Sequence, residues 1–471
     1  MPYSGYMSRI NQLLDTWNGL VWGIPMMALL FGTHLLFTVW LKVPQRKLLT
    51  ALRLSVAPEE GEEGMRPFEA LATALAATLG TGNIIGMSMA VAIGGPGAVF
   101  WCWLTGIFGM ATKYGESLLS IKYRIRDGQG GFRGGPMYVM EQALRFRKLA
   151  AVFAVFAAAA AFGTGCSVQA NAISGTMESA FHIPPLVTGG ILTALTAAVI
   201  LGGAGAVSKA CEKLIPFMAV VYLAGCGVLL VINRAFLVPA LKLIVTAAFS
   251  PGAAAGGFVG STMLTAARQG IARGLFSDES GLGTAPMAAA AAGSRNPVRQ
   301  ALAAMTGTFW DTVVFCAVTG IVIVSSMLHM PELFAGLSQG ELAEQSFGIM
   351  NQFGHMIFAL SLVIFAFATI LGWSFYGEQA VIYLSGSRRL FHYRMLYLAA
   401  VFAGAAASMG VIWKIADLLN GLMAVPNLIC LLLLRKTVVK ETDYYLWGGH
   451  LDEKEENPGE FPNEKGKELT K

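Results

Sequence analysis

The chain has 471 residues, of which 55% are hydrophobic and only 13% charged, with a mean hydropathy of +0.60 and a formal net charge of +5. A soluble protein of this size needs far more polar residues to clothe its surface, so the composition excludes that class and predicts an all-α polytopic membrane protein. The positive charge sits in short segments between apolar runs, which argues against a nucleic-acid footprint.

At roughly 20 apolar residues per crossing, the pattern predicts about eleven transmembrane helices. They fall at 19–41, 68–94, 98–121, 149–178, 186–206, 214–232, 254–292, 300–328, 354–384, 395–411 and 415–434. The first run has no basic leader with a short apolar core and cleavage site, and is expected to stay in the membrane. Lys and Arg resist translocation. Placing the N-terminus outside puts 26 of the 33 Lys+Arg in cytoplasmic segments. Four remain outside (Arg9, Arg234, Lys242, Lys414) and three lie within spans (Lys113, Arg268, Arg273). The expected location is the cell membrane, multi-pass, with the C-terminus cytoplasmic. Cys102, Cys166, Cys211, Cys226, Cys316 and Cys430 lie in or beside apolar runs without a CxxC, so they read as packing residues rather than disulfides or a transition-metal site.

Two of the runs are interrupted. Between Pro67 and Gly97 the apolar stretch carries Gly80-Thr81-Gly82-Asn83 at its centre, and a glycine-rich break recurs at Arg273-Gly274-Leu275-Phe276-Ser277-Asp278-Glu279-Ser280-Gly281. Backbone in hydrocarbon cannot leave its N–H and C=O groups unpaired, so a helix that unwinds there must offer them to something bound. With the first span set aside, the other ten divide into two fives, each opening on its interrupted helix. Because five is odd, the second set enters from the opposite face, as in an inverted repeat whose paired broken helices mark a midplane transport site. The expected organisation is an N-terminal helix and cytoplasmic linker over 1–67, a first five-helix repeat over 68–232 and an external connection over 233–253. A second repeat follows over 254–434, then a disordered cytoplasmic tail over 435–471.

The outer half of the first broken helix starts near Asn83 and points the positive end of its dipole at the membrane centre, where a carboxylate sits well. Thr81 offers a hydroxyl, Gly82 permits close backbone approach, and Asn83 can cap the new helix or turn its carbonyl toward a cation. In the second break, Ser277, Asp278 and Glu279 are expected where a half-helix starts, as caps, with Asp278 and Glu279 alternatively partners of Arg273. Carbonyls at 274–276 are expected to accept from an ammonium group. The two breaks together suit a zwitterion. Lys113 and Glu116, three apart on one helix, read as a neutralised pair. Asp311 and Glu378 are isolated acids that could serve a proton or sodium step or a hydrogen-bonded structural role.

These residues resemble the alanine/glycine:cation symporter family, also called sodium:alanine symporters, of the amino acid-polyamine-cation superfamily. The resemblance is carried by Ala74 to Ile84, Gly94 to Trp101, Gly109 to Glu116, Gly134 to Tyr138 and Gly270 to Pro286, in family order. It implies a five-plus-five inverted-repeat fold of the leucine-transporter type with one extra N-terminal helix, and sodium-driven uptake of a small neutral amino acid, usually alanine or glycine. By resemblance, Thr81 and Gly82 form the carboxylate end of the site and Phe276 contributes a carbonyl near the amine. Gln169 is a side-chain partner, and Thr369 and Trp373 are a hydroxyl contact and a lid or wall. Helical spacing independently puts Thr369 and Trp373 on one face.

Sodium is expected beside the first break, on carbonyls of Leu75 and Thr78 and the hydroxyl of Thr369, because a hard cation takes oxygen ligands. Asp278 and Glu279 are further candidates. Where the family pattern reads Ser-Asn-Glu-Ala-Gly, this chain has Ser277-Asp278-Glu279-Ser280-Gly281. No cofactor beyond sodium as coupling ion is implied, and no nucleic acid or obligate protein partner; the partners are amino acid, sodium and lipid bilayer. Alternative readings are a proton-coupled carrier or one for glutamine or serine. More distant are an intramembrane enzyme, which lacks a nucleophile with a paired base or an HExxH, and a channel, which lacks charge rings or filter loops.

Overall fold

The computed structural model describes residues 2–57, 64–127, 131–249, 262–337, 340–407 and 410–454. These are mostly helical, with one antiparallel hairpin pairing Ile125–Arg126 with Phe132–Arg133. Among the described residues six helices are long and apolar enough to cross a bilayer: Asn11–Trp40, Arg147–Phe181, Ala204–Ile232, Pro297–His329, Asn351–Ser385 and Ile412–Leu433. Pro67–Thr78 and Gly82–Gly94 form a seventh if counted together, bent by 53°.

The other four of the eleven expected spans also hold helices, but each falls short of that measure for a physical reason. Gly97–Lys122 is diluted by Gly, Thr and the charges of Lys113 and Glu116. Pro185–Ile200 and Leu390–Ala406 have 16 and 17 residues, about 24–26 Å of helix against a hydrocarbon core of about 30 Å. The expected span 254–292 begins outside the described residues and is split into Met263–Asp278 and Ala285–Ala290. Lipid explains the outer surface: Val220 and Val231 on Ala204–Ile232 are each 68% exposed, an arrangement that water would penalise.

The first break lies where the sequence put it. Pro67 starts its helix in the first turn, with Glu69 and Arg66 completing a capping box. The helix ends at Thr78, Leu79 turns extended, and the chain resumes through a π-type turn at Gly82–Gly86 into Met87–Gly94. Such turns recur at Ala161–Ser167 and Phe309–Cys316, and in helices they frequently mark functional positions.

The second break is displaced. Residues 274–276 are helical within Met263–Asp278, and Ser277 and Asp278 end a half-helix rather than start one, so Leu275 and Phe276 lie in its last turn, where carbonyls lack an intrahelical partner. Gly270 and Gly274 are small for a different reason. They press against Gly97–Lys122, where a Cβ on either would meet Trp101 Cβ at 2.7 Å or Thr105 Cβ at 2.9 Å, the close packing small residues allow in membranes. Unwinding occurs instead at 279–284, where Glu279, Gly281 and Gly283 adopt left-handed φ of 53°, 88° and 84°.

The expected connection over 233–253 contains a helix, Arg234–Phe249, and 250–253 lie outside the described residues. One further expectation is corrected. The tail is not disordered as far as it is described, because Arg435–Glu441 and Thr442–Trp447 are helical and pinned to the bundle. Tyr114 OH meets Thr442 at 3.0 Å, Lys122 pairs with Glu441 at 3.0 Å, Trp447 Nε1 donates to the Leu41 carbonyl, and Asn296 Nδ2 donates to the carbonyls of Leu451 and Glu453. Residues 455–471 are outside the described set.

Candidate functional site

The bend at the first break opens a cleft. Thr81 and Gly82 line it from the break, Thr164 and Gln169 from Arg147–Phe181, Arg273 and Phe276 from Met263–Asp278, and Trp413, Ala416 and Asp417 from Gly410–Leu433. Four residues singled out in the sequence, Thr81, Gly82, Gln169 and Phe276, therefore share one cavity. Gln169 Nε2 donates to the Thr164 carbonyl at 3.2 Å. Its Oε1 is buried without a hydrogen-bond partner and lies 3.6 Å from where a Cβ on Gly80 would stand. This is an acceptor available to an N–H group. The cleft also holds one guanidinium and one carboxylate, Arg273 and Asp417, which act electrostatically on each other. Arg273 therefore does not pair with Asp278 or Glu279, as the sequence suggested.

Three expected residues sit behind the cleft. Thr369 reaches the break from Asn351–Ser385, its hydroxyl lying 3.2 Å from the Leu79 carbonyl and 3.1 Å from that of Phe365. Trp373 is fully buried, packed under Gly165, and is no lid on the cavity. Asn83 faces inward. Its Oδ1 accepts from the Gly80 N–H at 2.9 Å, and its Nδ2 donates to Ser277 Oγ at 3.0 Å and to Asp311 Oδ1 at 2.7 Å.

Asp311 is the hub of this network. Besides Asn83, it accepts at Oδ2 from Ser277 Oγ at 2.9 Å and Thr312 Oγ1 at 2.8 Å. One carboxylate thus ties the first break, through Asn83, to the end of Met263–Asp278, through Ser277. The sequence flagged Asp311 as an isolated acid open to an ion step or to a hydrogen-bonded structural role, without its partners.

Oxygen atoms gather at the C-terminal end of Pro67–Thr78, the negative pole of that half-helix. The Leu75 carbonyl accepts from the Leu79 N–H at 2.7 Å, the Thr78 hydroxyl lies 3.3 Å from the Ala74 carbonyl, and the Thr369 hydroxyl meets the Leu79 carbonyl at 3.2 Å. Asp278 and Glu279 belong elsewhere: Asp278 Oδ1 accepts from the Ser280 N–H and Glu279 Oε2 from Thr284 Oγ1, both inside the second break. That loop is further held by Glu116 Oε2, which accepts from the Gly281 N–H at 3.2 Å and from Asn427 Nδ2 at 2.9 Å. The Lys113–Glu116 pair read from spacing is present at 3.7 Å.

The model of the sodium:alanine symporter family matches residues 7–458. The sodium/alanine symporter AgcS of Methanococcus maripaludis is 46% identical over 438 residues, covering 91% of this chain and 96% of the relative. The probable sodium/glutamine symporter GlnT of Bacillus subtilis is 36% identical over 436 residues, covering 91% and 89%. The crystal structure of MhsT in complex with L-phenylalanine, a transporter of the leucine-transporter fold, superposes with a TM-score of 0.59 at 14% identity, over 83% of this chain and 95% of that one.

Proposed function

This chain belongs to the sodium:alanine symporter family, and on that premise we propose that it imports a small neutral amino acid of the alanine and glycine class, coupled to sodium, by alternating access around the cleft at the first break. It is a multi-pass membrane transporter of the leucine-transporter fold rather than an enzyme. The observation that carries the reading is that Thr81, Gly82, Gln169 and Phe276, from three separate helical segments, line one cavity with an acceptor and two opposite charges.

In this reading the substrate carboxylate lies at Thr81 and Gly82, where the outer half-helix begins and its dipole is positive. The ammonium group is met by Gln169 Oε1 and by polar groups beside Phe276. Sodium sits next to it on oxygens of Leu75, Thr78 and Thr369, which supplies a hard cation with the ligands it prefers. Trp373 supports Thr369 from one turn along the same helix. Asn83 acts through Gly80 and Asp311, shaping the break rather than touching the amino acid. Two bound solutes change the balance between outward and inward states only through their different affinity for each.

The two broken helices are taken as matching positions of a five-plus-five inverted repeat. The excess of Lys and Arg on one set of loops supports an external N-terminus and a cytoplasmic C-terminus. The similarity to a relative named for glutamine makes that amino acid the leading rival substrate. The test is uptake of labelled alanine into proteoliposomes with and without a sodium gradient, followed by competition with glycine, serine and glutamine. Accumulation against a concentration gradient that requires sodium supports the proposal; uptake indifferent to sodium, or stronger competition by glutamine than by alanine itself, overturns the ion or the substrate.

A further inference from the structure

Lys113, Glu116, Asp278, Glu279 and Asp311 form a buried electrostatic cluster, each at most 4% exposed, and neither the cleft nor the oxygen group at Leu75 uses its ammonium. Four carboxylates meet one positive charge. Glu116 is compensated by Lys113 at 3.7 Å and by two hydrogen bonds at Oε2, Asp311 by three side-chain donors, and Glu279 by Thr284. Asp278 is left the poorest. Its Oδ1 accepts from the Ser280 N–H at 2.7 Å, whereas Oδ2 is buried without a hydrogen-bond partner and faces Gly109, where a Cβ would stand 3.0 Å away.

Lys113 Nζ is likewise buried without a hydrogen bond, within electrostatic reach of Asp278, Glu279 and Asp311. The other titratable groups around Asp278 are Cys102 and Glu116 on Gly97–Lys122 and Cys316 on the Phe309–Cys316 turn. His34 lies beyond Lys113, bonded to Thr112, and Tyr376 beyond Glu279. None of them donates a hydrogen bond to Oδ2.

An ionised carboxylate oxygen in a dry interior with no donor is far more costly than a neutral one. A metal ion is a poor remedy, since the ammonium of Lys113 repels it and, among the described residues, no three carboxylate, His or Cys groups converge on a point. We propose that Asp278 is a proton-binding site: Oδ2 takes a proton from water, forming an O–H bond, in the arrangement described here, and returns it to water in another stage of the cycle. The site touches transport through its neighbour, because Ser277 is hydrogen-bonded into the Asn83–Asp311 network at the first break. This deepens the symporter reading and rests on it for its role in transport, though not for proton binding itself.

Binding is tested first on the purified protein without substrate, by thermal stability of the full chain and of Asp278→Asn between about pH 5.5 and about pH 8.5. A folded state holding a proton that the unfolded chain releases loses stability as pH rises. The wild type is therefore expected to fall relative to the permanently neutral Asn variant as pH increases; a difference independent of pH overturns the site, whether or not alanine is transported. Proteoliposomes then read the role, with sodium-driven alanine uptake measured across the same range and a trapped pH dye. Asp278→Asn is expected to flatten the pH profile and abolish the alanine-dependent proton signal, with Asp278→Glu keeping both. An unchanged profile in the Asn variant overturns the coupling. If the Asn variant does not fold, proton exchange on adding alanine and sodium to unbuffered wild-type protein decides: a measurable uptake or release sustains the proposal and a null signal overturns it. Failure of all sodium-driven alanine uptake would sink the symporter reading alone, since the stability measurement stands apart from it.

Discussion

Replacing Asp311 by Ala removes the acceptor of three buried bonds, at 2.7 Å to Asn83, 2.9 Å to Ser277 and 2.8 Å to Thr312. Hydrogen bonds to a charged group contribute roughly 1.5–3 kcal/mol each, but loss of the carboxylate also removes its desolvation cost, so the gross sum is not reached. Stripping one partner from a buried charged network costs about 3–5 kcal/mol. If about 3 kcal/mol of this falls on the arrangement that holds the break, its equilibrium constant drops roughly 100-fold, and apparent affinity for alanine drops by up to that factor. Asp311→Asn is the control. Its Oδ1 still accepts from Asn83, and the hydroxyls of Ser277 and Thr312 can turn to accept from its Nδ2, so uptake is expected within about fivefold of wild type. Concentration-dependent alanine uptake in proteoliposomes, normalised to inserted protein, measures both. Near-normal affinity in Asp311→Ala refutes the argument that this carboxylate shapes the break.

Thr81→Val and Gln169→Ala are expected to abolish or cripple uptake while a monodisperse size-exclusion profile shows intact folding; normal transport by either removes that residue from the site. Gly270→Val forces side-chain atoms into the space of Trp101, where even a Cβ lies at 2.7 Å, and is expected to lower stability in detergent by about 1–3 kcal/mol. Asn427→Ala removes one of the two donors to Glu116 Oε2 and the side-chain donor to the Gly281 carbonyl, each 2.9 Å from its Nδ2. Its melting temperature should fall, with the loss reduced in a Glu116→Gln background because the two sites share one bond.

The first break was readable because Gly80-Thr81-Gly82 interrupts an otherwise apolar run, and unwinding has no other local signature there. The second was misplaced because a glycine is small for two reasons that sequence does not separate. Gly270 and Gly274 make room for a neighbouring helix, whereas Gly281 and Gly283 supply left-handed backbone. Arg273 was matched to Asp278 by proximity in sequence, yet five residues of helix turn a side chain by about 140°, and Arg273 faces the cleft while Asp278 faces Lys113. The distant partners of Asp311 could not be read from its surroundings in the chain, since Asn83 lies 228 residues away and Ser277 34. The Lys113–Glu116 pair succeeded because three-residue spacing is a local property of helices.

The segment from Arg435 to Lys454 stitches together residues distant in the chain: Trp447 holds Leu41, Asp443 holds Lys42, Glu441 holds Lys122, and Asp452 together with the carbonyls of Leu451 and Glu453 holds Arg299 and Asn296. Shortening the gene at Leu434, as hydropathy alone would invite, cuts this seam and leaves three helix ends with severed fastenings. An affinity handle belongs downstream of Lys454, where its attachment leaves every one of those stitches in place.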